Sequence, residues 1–315
     1  MSAVTRGDGT VLELEGVSKT YPSGQRAVDG LSLSLGVGLL GLLGPNGAGK
    51  STLIRIVATV TRPTSGRVLL NGVDVVARPE ALRRTLGYLP QEFGVYPNLT
   101  AREFLAYLAA AKGLPARAAR VQVDELLELV NLTETGKRPL GKFSGGMLRR
   151  VGIAQALLGD PQVVIVDEPT AGLDPQERVR FRNLLSDLAA DRVVLLSTHI
   201  VSDVESVAAD IAVLVAGQLR RRGSPQELLQ EVHGQVWEVT VPAEQVAAVQ
   251  ARWVVSRMVR TGDGVRLRLL SGEPPAAGAE LVAPDLEDAY LALVTGRDVP
   301  PAGPLALARA VRRGQ

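Results

Sequence analysis

The chain has 315 residues and a mass of 33.3 kDa, a length that favours a main domain with a smaller second one over a single core. Hydrophobic residues make up 46% of the chain and charged residues 22%, which is typical of a chain that folds around an apolar core. A formal net charge of +2 provides no general attraction for nucleic acid, so no nucleic-acid partner is expected, and the lack of cysteine excludes disulfides, thiolate zinc sites and a cysteine nucleophile.

The start of the chain gives no sign of export. The first ten residues contain Arg6 and Asp8 where a secretory signal would need an apolar run. The most apolar stretch, residues 31–43, is interrupted by serines and glycines and is shorter than the roughly 20 residues of a membrane span. We therefore expect a cytoplasmic chain, with any membrane span supplied by another protein.

Apolar runs punctuated by glycine alternate with amphipathic stretches up to about residue 222, a pattern typical of an α/β domain. Residues 163–166 (VVIV) and 193–196 (VVLL) are continuous aliphatic runs. Such runs are typical of parallel strands that are covered on both faces. The sequence therefore predicts a parallel-sheet core.

A phosphate-binding loop is predicted between the apolar run that ends at Leu43 and a helical stretch at residues 52–59. The residues predicted to bind nucleotide are Gly44, Pro45, Asn46, Gly47, Ala48, Gly49, Lys50, Ser51 and Thr52. Glycines let successive backbone N–H groups turn toward phosphate oxygens. Lys50 is predicted to lie between the β- and γ-phosphates and Ser51 to offer its hydroxyl to Mg²⁺. Taken alone, this P-loop also fits a kinase or a small GTPase.

An inserted helical subdomain is predicted at about residues 97–160, because residues 99–112 and 123–130 have helical spacing with no strand between them. The segment FSGGMLRR lies inside it at residues 143–150. Ser144, Gly145 and Gly146 precede an amphipathic helix that extends through residue 158, and such a helix start can bind an anion. The segment is predicted to form a second phosphate cradle.

Two acids, Asp167 and Glu168, end the buried run at residues 163–166, at the edge where open α/β sheets bind their ligands. One acid there could cap a helix, whereas two require a further explanation. We predict that Asp167 holds Mg²⁺ through water and that Glu168 orients and deprotonates the attacking water. His199 follows the next aliphatic run and is placed to contact the γ-phosphate, although a lone histidine is more often structural.

A second domain is predicted at residues 224–315, after a first domain of residues 1–223. Ser224 and Pro225 have the pattern of a helix N-cap followed by proline at the first helical position. Residues 236–241 and 253–259 resemble strands, and Asp263-Gly264 is a hairpin turn signal. We expect a small α+β domain, followed by a short basic tail. The basic residues of that tail are Arg309, Arg312 and Arg313.

The ordered set of motifs resembles the ATP-binding subunits of ABC transporters over most of residues 11–223. The segments that carry the likeness are GPNGAGKST at 44–52, YLPQE at 88–92, SGGM at 144–147, VDEPT at 166–170, GLDP at 172–175 and STH at 197–199. The resemblance implies an α/β fold, namely a P-loop NTPase of the ABC type. That fold has a parallel-sheet core, an N-terminal antiparallel β subdomain and the inserted helical subdomain.

The resemblance also implies roles for three further residues. Tyr21 would stack on adenine, Gln91 would reach Mg²⁺ and signal to a membrane partner, and Asp174 would help couple two active sites. Each residue has a plainer alternative: a half-buried strand aromatic, a residue of the loop surface, and a cap before Pro175, respectively.

In this family the SGGM turn of one subunit closes over the ATP that is held by the other. A chain with one P-loop and one SGGM is therefore expected to bind ATP and Mg²⁺ as a head-to-tail homodimer. Phe143 and Met147 stand where the family pattern has leucine and glutamine. FSGGMLRR, FGVYPNLT at residues 93–100 and LEDAYL at residues 286–291 are similar to the ABC-2 type branch, which exports drugs, antibiotics or lipids through separately encoded permeases.

The expected function is ATP hydrolysis that drives export through a separate transmembrane permease, with the chain peripheral on the inner face of the cell membrane. The ATPase of an importer would share every catalytic residue named here. A soluble ABC protein that acts on translation is the rival from another class, although such proteins usually carry two nucleotide-binding domains in one chain. The second domain could steady the dimer, contact the permease or regulate turnover, and its composition does not choose among these.

Overall fold

The computed structural model describes residues 11–170 and 173–296. The chain divides into two compact units, Met1–Leu219 and Arg220–Gln315. The predicted basic tail and Gly172 of the GLDP segment lie outside the described residues.

The first unit contains an antiparallel sheet, as the resemblance implied. Its strands are β1 (Leu12–Thr20), β2 (Arg26–Leu35), β4 (Ser65–Leu70) and β5 (Val73–Asp74). They lie in the order β2-β1-β4-β5, and each neighbouring pair is antiparallel. Along β1 and β2, buried residues alternate with more exposed ones, and β-bulges interrupt this alternation. The sheet therefore has one apolar face.

The second sheet of this unit is the predicted core. Its strands are β3 (Gly38–Leu43), β6 (Leu86–Leu89), β7 (Val163–Asp167), β8 (Val193–Thr198), β9 (Asp210–Val215) and β10 (Gln218–Gly223). They lie in the order β10-β9-β3-β8-β7-β6, and the pairs from β9 to β6 are parallel. Every residue of β7 and β8 is buried, which confirms strands covered on both faces.

The helix α1 (Lys50–Val57) joins the two sheets into one core. Its buried residues Leu53, Ile54, Ile56 and Val57 belong to an apolar cluster that includes residues of both sheets. Outside the insertion, the described part of the first unit also contains α2 (Pro79–Arg83), α6 (Pro175–Leu188) and α7 (Val201–Glu205). Because α1 is anchored along its buried face, the loop that precedes it is fixed at the carboxyl end of β3.

The predicted helical insertion contains three helices and a short 3-10 turn. They are α3 (Ala101–Ala111), α4 (Ala116–Leu129), the 3-10 turn Leu140–Lys142 and α5 (Gly145–Leu157). The helix α3 begins with a capping box formed by Thr100 and Glu103. The helix α5 packs closely on β6, where a Cβ added to Gly152 would lie 2.8 Å from a Leu89 methyl. Glycine at this position permits that approach.

In the part of the chain that the structure describes, no helix has both the length and the apolar character that a membrane span requires. The apolar stretch at residues 31–43 forms the end of β2 and all of β3.

The second unit is a small α+β fold, as predicted. Its elements are α8 (Pro225–Glu231), β11 (Val236–Val241), α9 (Val246–Arg252), β12 (Val254–Thr261), β13 (Gly264–Leu270), β14 (Glu280–Leu281) and α10 (Leu286–Thr295). The strands lie in the order β12-β13-β11-β14. Ser224 caps α8 in a capping box, and β12 and β13 form a hairpin around Asp263, which confirms both of the local sequence signals.

The two units divide after Leu219, inside β10, whereas the sequence suggested a division after Gly223. Arg221, in the outer half of β10, hydrogen-bonds and ion-pairs with Glu231 of α8. The Ser224-Pro225 pattern marks where α8 begins, and contacts of the second unit begin a few residues earlier.

A buried ion pair joins β13 to α10 in the second unit. Arg268 Nη2 lies 2.8 Å from Asp288 Oδ2, Asp288 is fully buried, and the same guanidinium donates to Ala283 O. Burial raises the pKa of Asp288, but the hydrogen bonds from Arg268 and from the Asp285 N–H outweigh it and hold that pKa below its ordinary value. The charged carboxylate therefore favours the folded unit.

We expect Asp288→Asn to lower the free energy of unfolding of this unit by about 3 kcal/mol at pH 7, because Arg268 stays buried without its closest anion. The folded pKa lies below the unfolded value of about 3.9, so the contribution is present above that pH and is lost as the pH falls through the folded pKa. The difference between wild type and variant should shrink in acid.

Denaturant unfolding followed by tryptophan fluorescence measures this effect selectively, because both tryptophans of the chain, Trp237 and Trp253, lie in the second unit. Glu287→Gln is the matched control. Its side chain is 52% exposed in a 3.7 Å pair with Arg257, and the change should cost less than about 0.5 kcal/mol. Equal denaturant midpoints of unfolding for Asp288→Asn and Glu287→Gln would rule out a stabilising role for the buried pair of Arg268 and Asp288.

Candidate functional site

The predicted phosphate loop lies between β3 and α1, in the strand-loop-helix context that its spacing requires. Gly49 is the N-cap of α1 with φ +101°, in the left-handed region. A Cβ at this position would lie 2.1 Å from the carbonyl oxygen of Ala27. Glycine is therefore required both for the backbone conformation and for the close approach of β2.

Lys50 is the first residue of α1 and is 7% exposed. Its Nζ donates to the carbonyl oxygens of Gly44 (2.5 Å) and Pro45 (3.2 Å). Burial lowers the pKa of Lys50, while the charges of Glu168 and Asp167 oppose that shift. The lysine ammonium therefore lies against the loop, within the field of both acids.

A cavity of about 400 Å³ opens at the phosphate loop and gathers most of the predicted site. Its lining consists of residues 45–52 together with Tyr21, Gln25, Ala27, Gln91, Glu168 and His199. The predicted P-loop, adenine contact, glutamine, base and histidine thus share one cavity although they come from five separate parts of the chain. Tyr21 Oη lies 3.3 Å from Thr52 Oγ1, which fixes the ring at one side of the cavity.

Asp167, the last residue of β7, has an unusual environment for a carboxylate. It is 3% exposed, and its Oδ1 atom is buried with no hydrogen-bond partner. Burial raises the pKa of the Asp167 carboxyl, and the charge of Glu168 adds to the rise. The hydroxyls of Ser197 and Ser51 and the charge of Lys50 oppose it. A buried oxygen without a partner costs free energy, so a cation or donor that bound there would relieve that cost.

Glu168 follows directly and adopts φ +49°, in the left-handed region that disfavours residues with a Cβ. Its backbone N–H donates to Ser197 O at 2.9 Å. Its side chain is 8% exposed, and Oε2 lies 2.8 Å from His199 Nδ1, while the histidine side chain is 51% exposed. The turn therefore aims the carboxylate at the histidine and at the cavity.

The SGGM turn and Asp174 lie elsewhere. Ser144 Oγ accepts a hydrogen bond from Met147 N at 3.2 Å at the start of α5, and Asp174 Oδ1 accepts one from Glu177 N at 2.9 Å at the start of α6. Neither Asp174 nor the serine and glycines of residues 144–146 belong to the lining of the cavity. Within the described residues, the phosphate loop and the SGGM turn of one chain thus do not share a site.

Two buried groups near this site were not predicted from the sequence. Arg149 of α5 donates to the main-chain carbonyl oxygens of Gln91 and Glu168. Thr170 Oγ1 donates to Asp203 Oδ2 at 2.5 Å, which ties the end of the acidic segment to α7. A signal for the arginine was present, because position 149 shares a helix face with the apolar positions 152, 153 and 156, where a charged residue needs a specific partner.

Comparison with known proteins decides the family. A family model described as ABC transporter matches residues 28–171. The daunorubicin resistance ATP-binding protein DrrA3 of Streptomyces coeruleorubidus is 37% identical over 245 residues, which cover 77% of this chain and 77% of that protein. The chain belongs to the ABC transporter family. It is an ATP-binding subunit of an ABC transporter, and its reaction is the hydrolysis of ATP.

Further comparisons place this ABC ATPase among exporter-type relatives. The Nod factor export ATP-binding protein I of Ralstonia nicotianae is 38% identical over 225 residues, covering 71% of this chain and 70% of that protein. The dimeric structure of a bacterial ABC transporter cassette matches with a TM-score of 0.63 and 27% identity, over 68% of this chain and 98% of that chain. The same values hold for that cassette in a dimeric post-hydrolysis state bound to ADP and Pi.

Proposed function

We propose that this ABC ATPase hydrolyses magnesium-bound ATP in a head-to-tail homodimer. The observation that carries the proposal is the separation of its two phosphate-binding turns, since the cavity at the P-loop has no lining from residues 144–146. A Cβ added to Gly145 would meet no atom within 4 Å, so this turn is open to an incoming group. In a head-to-tail pair, each SGGM turn supplies donors to the phosphates that the other chain holds.

The residues of the cavity then have distinct roles in hydrolysis. Lys50 and the backbone N–H groups of the P-loop bind the β- and γ-phosphates. Glu168 orients the attacking water and accepts its proton. His199 contacts the γ-phosphate, and its 2.8 Å contact with Glu168 links the detection of that phosphate to the base. Asp174 already caps α6, so its role in coupling the two sites is additional to that cap.

The donor set fits Mg²⁺. Ser51, Gln91 and Asp167 offer a hydroxyl, an amide oxygen and a carboxylate, which are the hard oxygen ligands that Mg²⁺ prefers. The buried Asp167 Oδ1 without a partner is the feature that a bound cation or its water would satisfy. No group of three or more His, Asp or Glu side chains able to hold a metal occurs in residues 11–170 and 173–296, so phosphate and water oxygens would complete the shell. The ion would neutralise charge on the phosphates during transfer.

We also propose that hydrolysis drives export of a drug-, antibiotic- or lipid-like substrate through a separate permease, with the chain bound at the inner face of the membrane. The support is the names of its relatives, a daunorubicin resistance protein and a Nod factor export protein. Closure of the dimer by ATP and its reopening after hydrolysis would act on the permease through the helical insertion and Gln91.

Purification of the tagged chain from solubilised membranes tests this assignment. We expect a multi-span membrane protein to copurify in stoichiometric amount, and the reconstituted complex to move an amphipathic drug such as daunorubicin into inverted vesicles when ATP and Mg²⁺ are added. Sedimentation of the chain with ribosomes, with no membrane partner, would favour a role in translation. Transport in the reverse direction would identify an importer.

Tyr21→Ala should raise the KM for ATP about tenfold and leave kcat near the wild-type value, because stacking of a base on an aromatic ring contributes about 1–3 kcal/mol to binding. Tyr21→Phe keeps the ring and removes only the 3.3 Å contact with Thr52, so its KM should stay close to wild type. Steady-state kinetics with ATP and with GTP measure both variants. An unchanged KM in Tyr21→Ala would leave Tyr21 as a half-buried aromatic residue directly after β1, with no contact to adenine.

A further inference from the structure

Arg149 occupies an unusual position on α5. The residue is 8% exposed, and its guanidinium donates five hydrogen bonds to main-chain carbonyl oxygens. The acceptors are Pro169 O at 2.9 Å from Nε, Pro90 O and Gln91 O at 3.0 Å from Nη1, and Asp167 O at 2.9 Å and Glu168 O at 2.5 Å from Nη2. One side chain therefore binds the backbone that follows two neighbouring strands, β6 and β7.

These contacts require a buried positive charge to be stabilised and several donors to be held in fixed positions. Within the described parts of the chain the guanidinium forms no direct ion pair with a carboxylate. The groups that contact it are carbonyl dipoles, and the nearby charges of Asp167 and Glu168 also favour its charged form. A planar fork of fixed donors suits this task, whereas a lysine ammonium presents its donors from a single nitrogen. The two backbone segments must hold one relative geometry for all of these contacts to form.

One of those segments is strained. Glu168 lies in the left-handed region, a conformation that persists in residues with a Cβ only where the surroundings hold it. Arg149 binds the carbonyl groups of Glu168 and of the residues on both sides of it. The arginine is thus placed to maintain the turn that aims the Glu168 carboxylate.

We propose that Arg149 is a positioning residue for ATP hydrolysis. It sets the main-chain conformation from which Glu168 and Gln91 reach the reacting phosphate, and it ties that conformation to α5. The inference rests on the proposed function for the roles of these two residues. Because α5 begins with the SGGM turn, the same side chain links the turn that contacts one ATP to the catalytic segments that act on the other.

Two substitutions of Arg149 and one matched control test this role in the full chain. Arg149→Met removes all five donors, while Arg149→Lys keeps the charge on one nitrogen. Lys112→Met is the control, because Lys112 Nζ donates to Leu86 O and Leu158 O and so joins the same two elements, β6 and α5, at their opposite ends. The measurements are kcat, KM, equilibrium ATP binding, the Mg²⁺ concentration for half-maximal rate, and the melting temperature.

We expect Arg149→Met to lower kcat about 100-fold, the loss that a small displacement of catalytic groups produces, and to change ATP binding by less than about threefold. The Mg²⁺ requirement should rise, since Gln91 and Asp167 also move. Arg149→Lys should recover part of kcat. Lys112→Met should keep kcat near wild type even where its melting temperature falls as far as that of Arg149→Met.

The proposal is overturned if Arg149→Met keeps kcat within about threefold of wild type, or if Lys112→Met loses as much kcat as Arg149→Met at an equal loss of melting temperature. If Arg149→Met does not fold, Arg149→Lys decides in the same way: a kcat reduced about tenfold or more with unchanged ATP binding supports the role, and a wild-type kcat refutes it.

Failure of the proposed function would be visible separately. In that case wild type and Glu168→Gln would turn over ATP at the same rate, whatever the Arg149 variants do. If turnover by the wild type depends on Glu168 but the Arg149 variants behave like Lys112→Met, only the role proposed for Arg149 is refuted.

Discussion

Glu168→Gln is expected to lower the turnover of ATP about a thousandfold while equilibrium ATP binding stays near the wild-type value. The carboxylate lies at the end of a fully buried strand and lines the cavity, 2.8 Å from His199. General base catalysis contributes about 10²–10⁴-fold to rate, and the glutamine amide cannot accept the proton of the attacking water. Phosphate release under saturating ATP and Mg²⁺ measures the loss, and binding of a fluorescent ATP analogue measures the part that should be retained.

The isosteric change at an exposed acid provides the control. Glu205 lies on the solvent side of α7, and Glu205→Gln alters the net charge of the chain by the same amount. It should turn over ATP at the wild-type rate. If Glu168→Gln did so as well, Glu168 would not be the base, and the left-handed turn that presents it would need another explanation.

Lys50→Ala should abolish productive nucleotide binding, with affinity for ATP lower by roughly a hundredfold or more. Lys50 is 7% exposed and its ammonium lies against the P-loop, and no other lysine or arginine occurs among the described residues that line the cavity. Charge-assisted hydrogen bonds contribute about 1.5–3 kcal/mol each, so the loss of contacts to two phosphates accounts for that factor. Calorimetric titration with ATP measures the affinity directly.

Arg55→Ala is the matched control for the lysine. Arg55 lies on the same helix, α1, and is exposed, so the variant loses one positive charge without reaching the loop. Its ATP affinity should match wild type. Retained binding in Lys50→Ala at the wild-type level would exclude the assignment of Lys50 to the phosphates.

Most of the local structure was predictable because its causes are local. The all-aliphatic runs at 163–166 and 193–196 predicted parallel strands, and both are buried throughout. The Ser224-Pro225 pair predicted a helix start, and the capping box at Ser224 is present. The spacing of the P-loop requires a strand before it and a helix after it, and both are found.

The composition of the cavity was predictable only in part. Resemblance to the ABC family named Tyr21 and Gln91, and the position after the second aliphatic run named His199; the cavity brings all three to the P-loop. Asp174, the other residue that the resemblance named, does not line the cavity. Arg149 escaped because its function depends on carbonyl groups, which every residue has, at the ends of two strands far apart in sequence. The pairing of Thr170 with Asp203 was not predicted because the two residues are far apart in sequence, and only the arrangement of β7 beside β8 brings them together.

The position of the division between the two units also lay beyond the local signals. A helix cap specifies where a helix begins, and Ser224 does so. The residue at which the second unit begins depends on which residues each position of β10 contacts. The outer half of β10 pairs with α8 through Arg221 and Glu231, so the division falls inside a strand.

The central claim is that each ATP is bound from two sides by two copies of this chain. Sedimentation velocity of Glu168→Gln over a range of concentrations, with and without ATP and Mg²⁺, tests it most directly, with Gly145→Asp in the same background as the control that blocks the SGGM turn. We predict a single chain without nucleotide, a dimer with ATP and Mg²⁺, and a single chain that still binds ATP when Gly145→Asp is added. A Glu168→Gln chain that binds ATP and Mg²⁺ and yet sediments as a single copy at every concentration would contradict the claim.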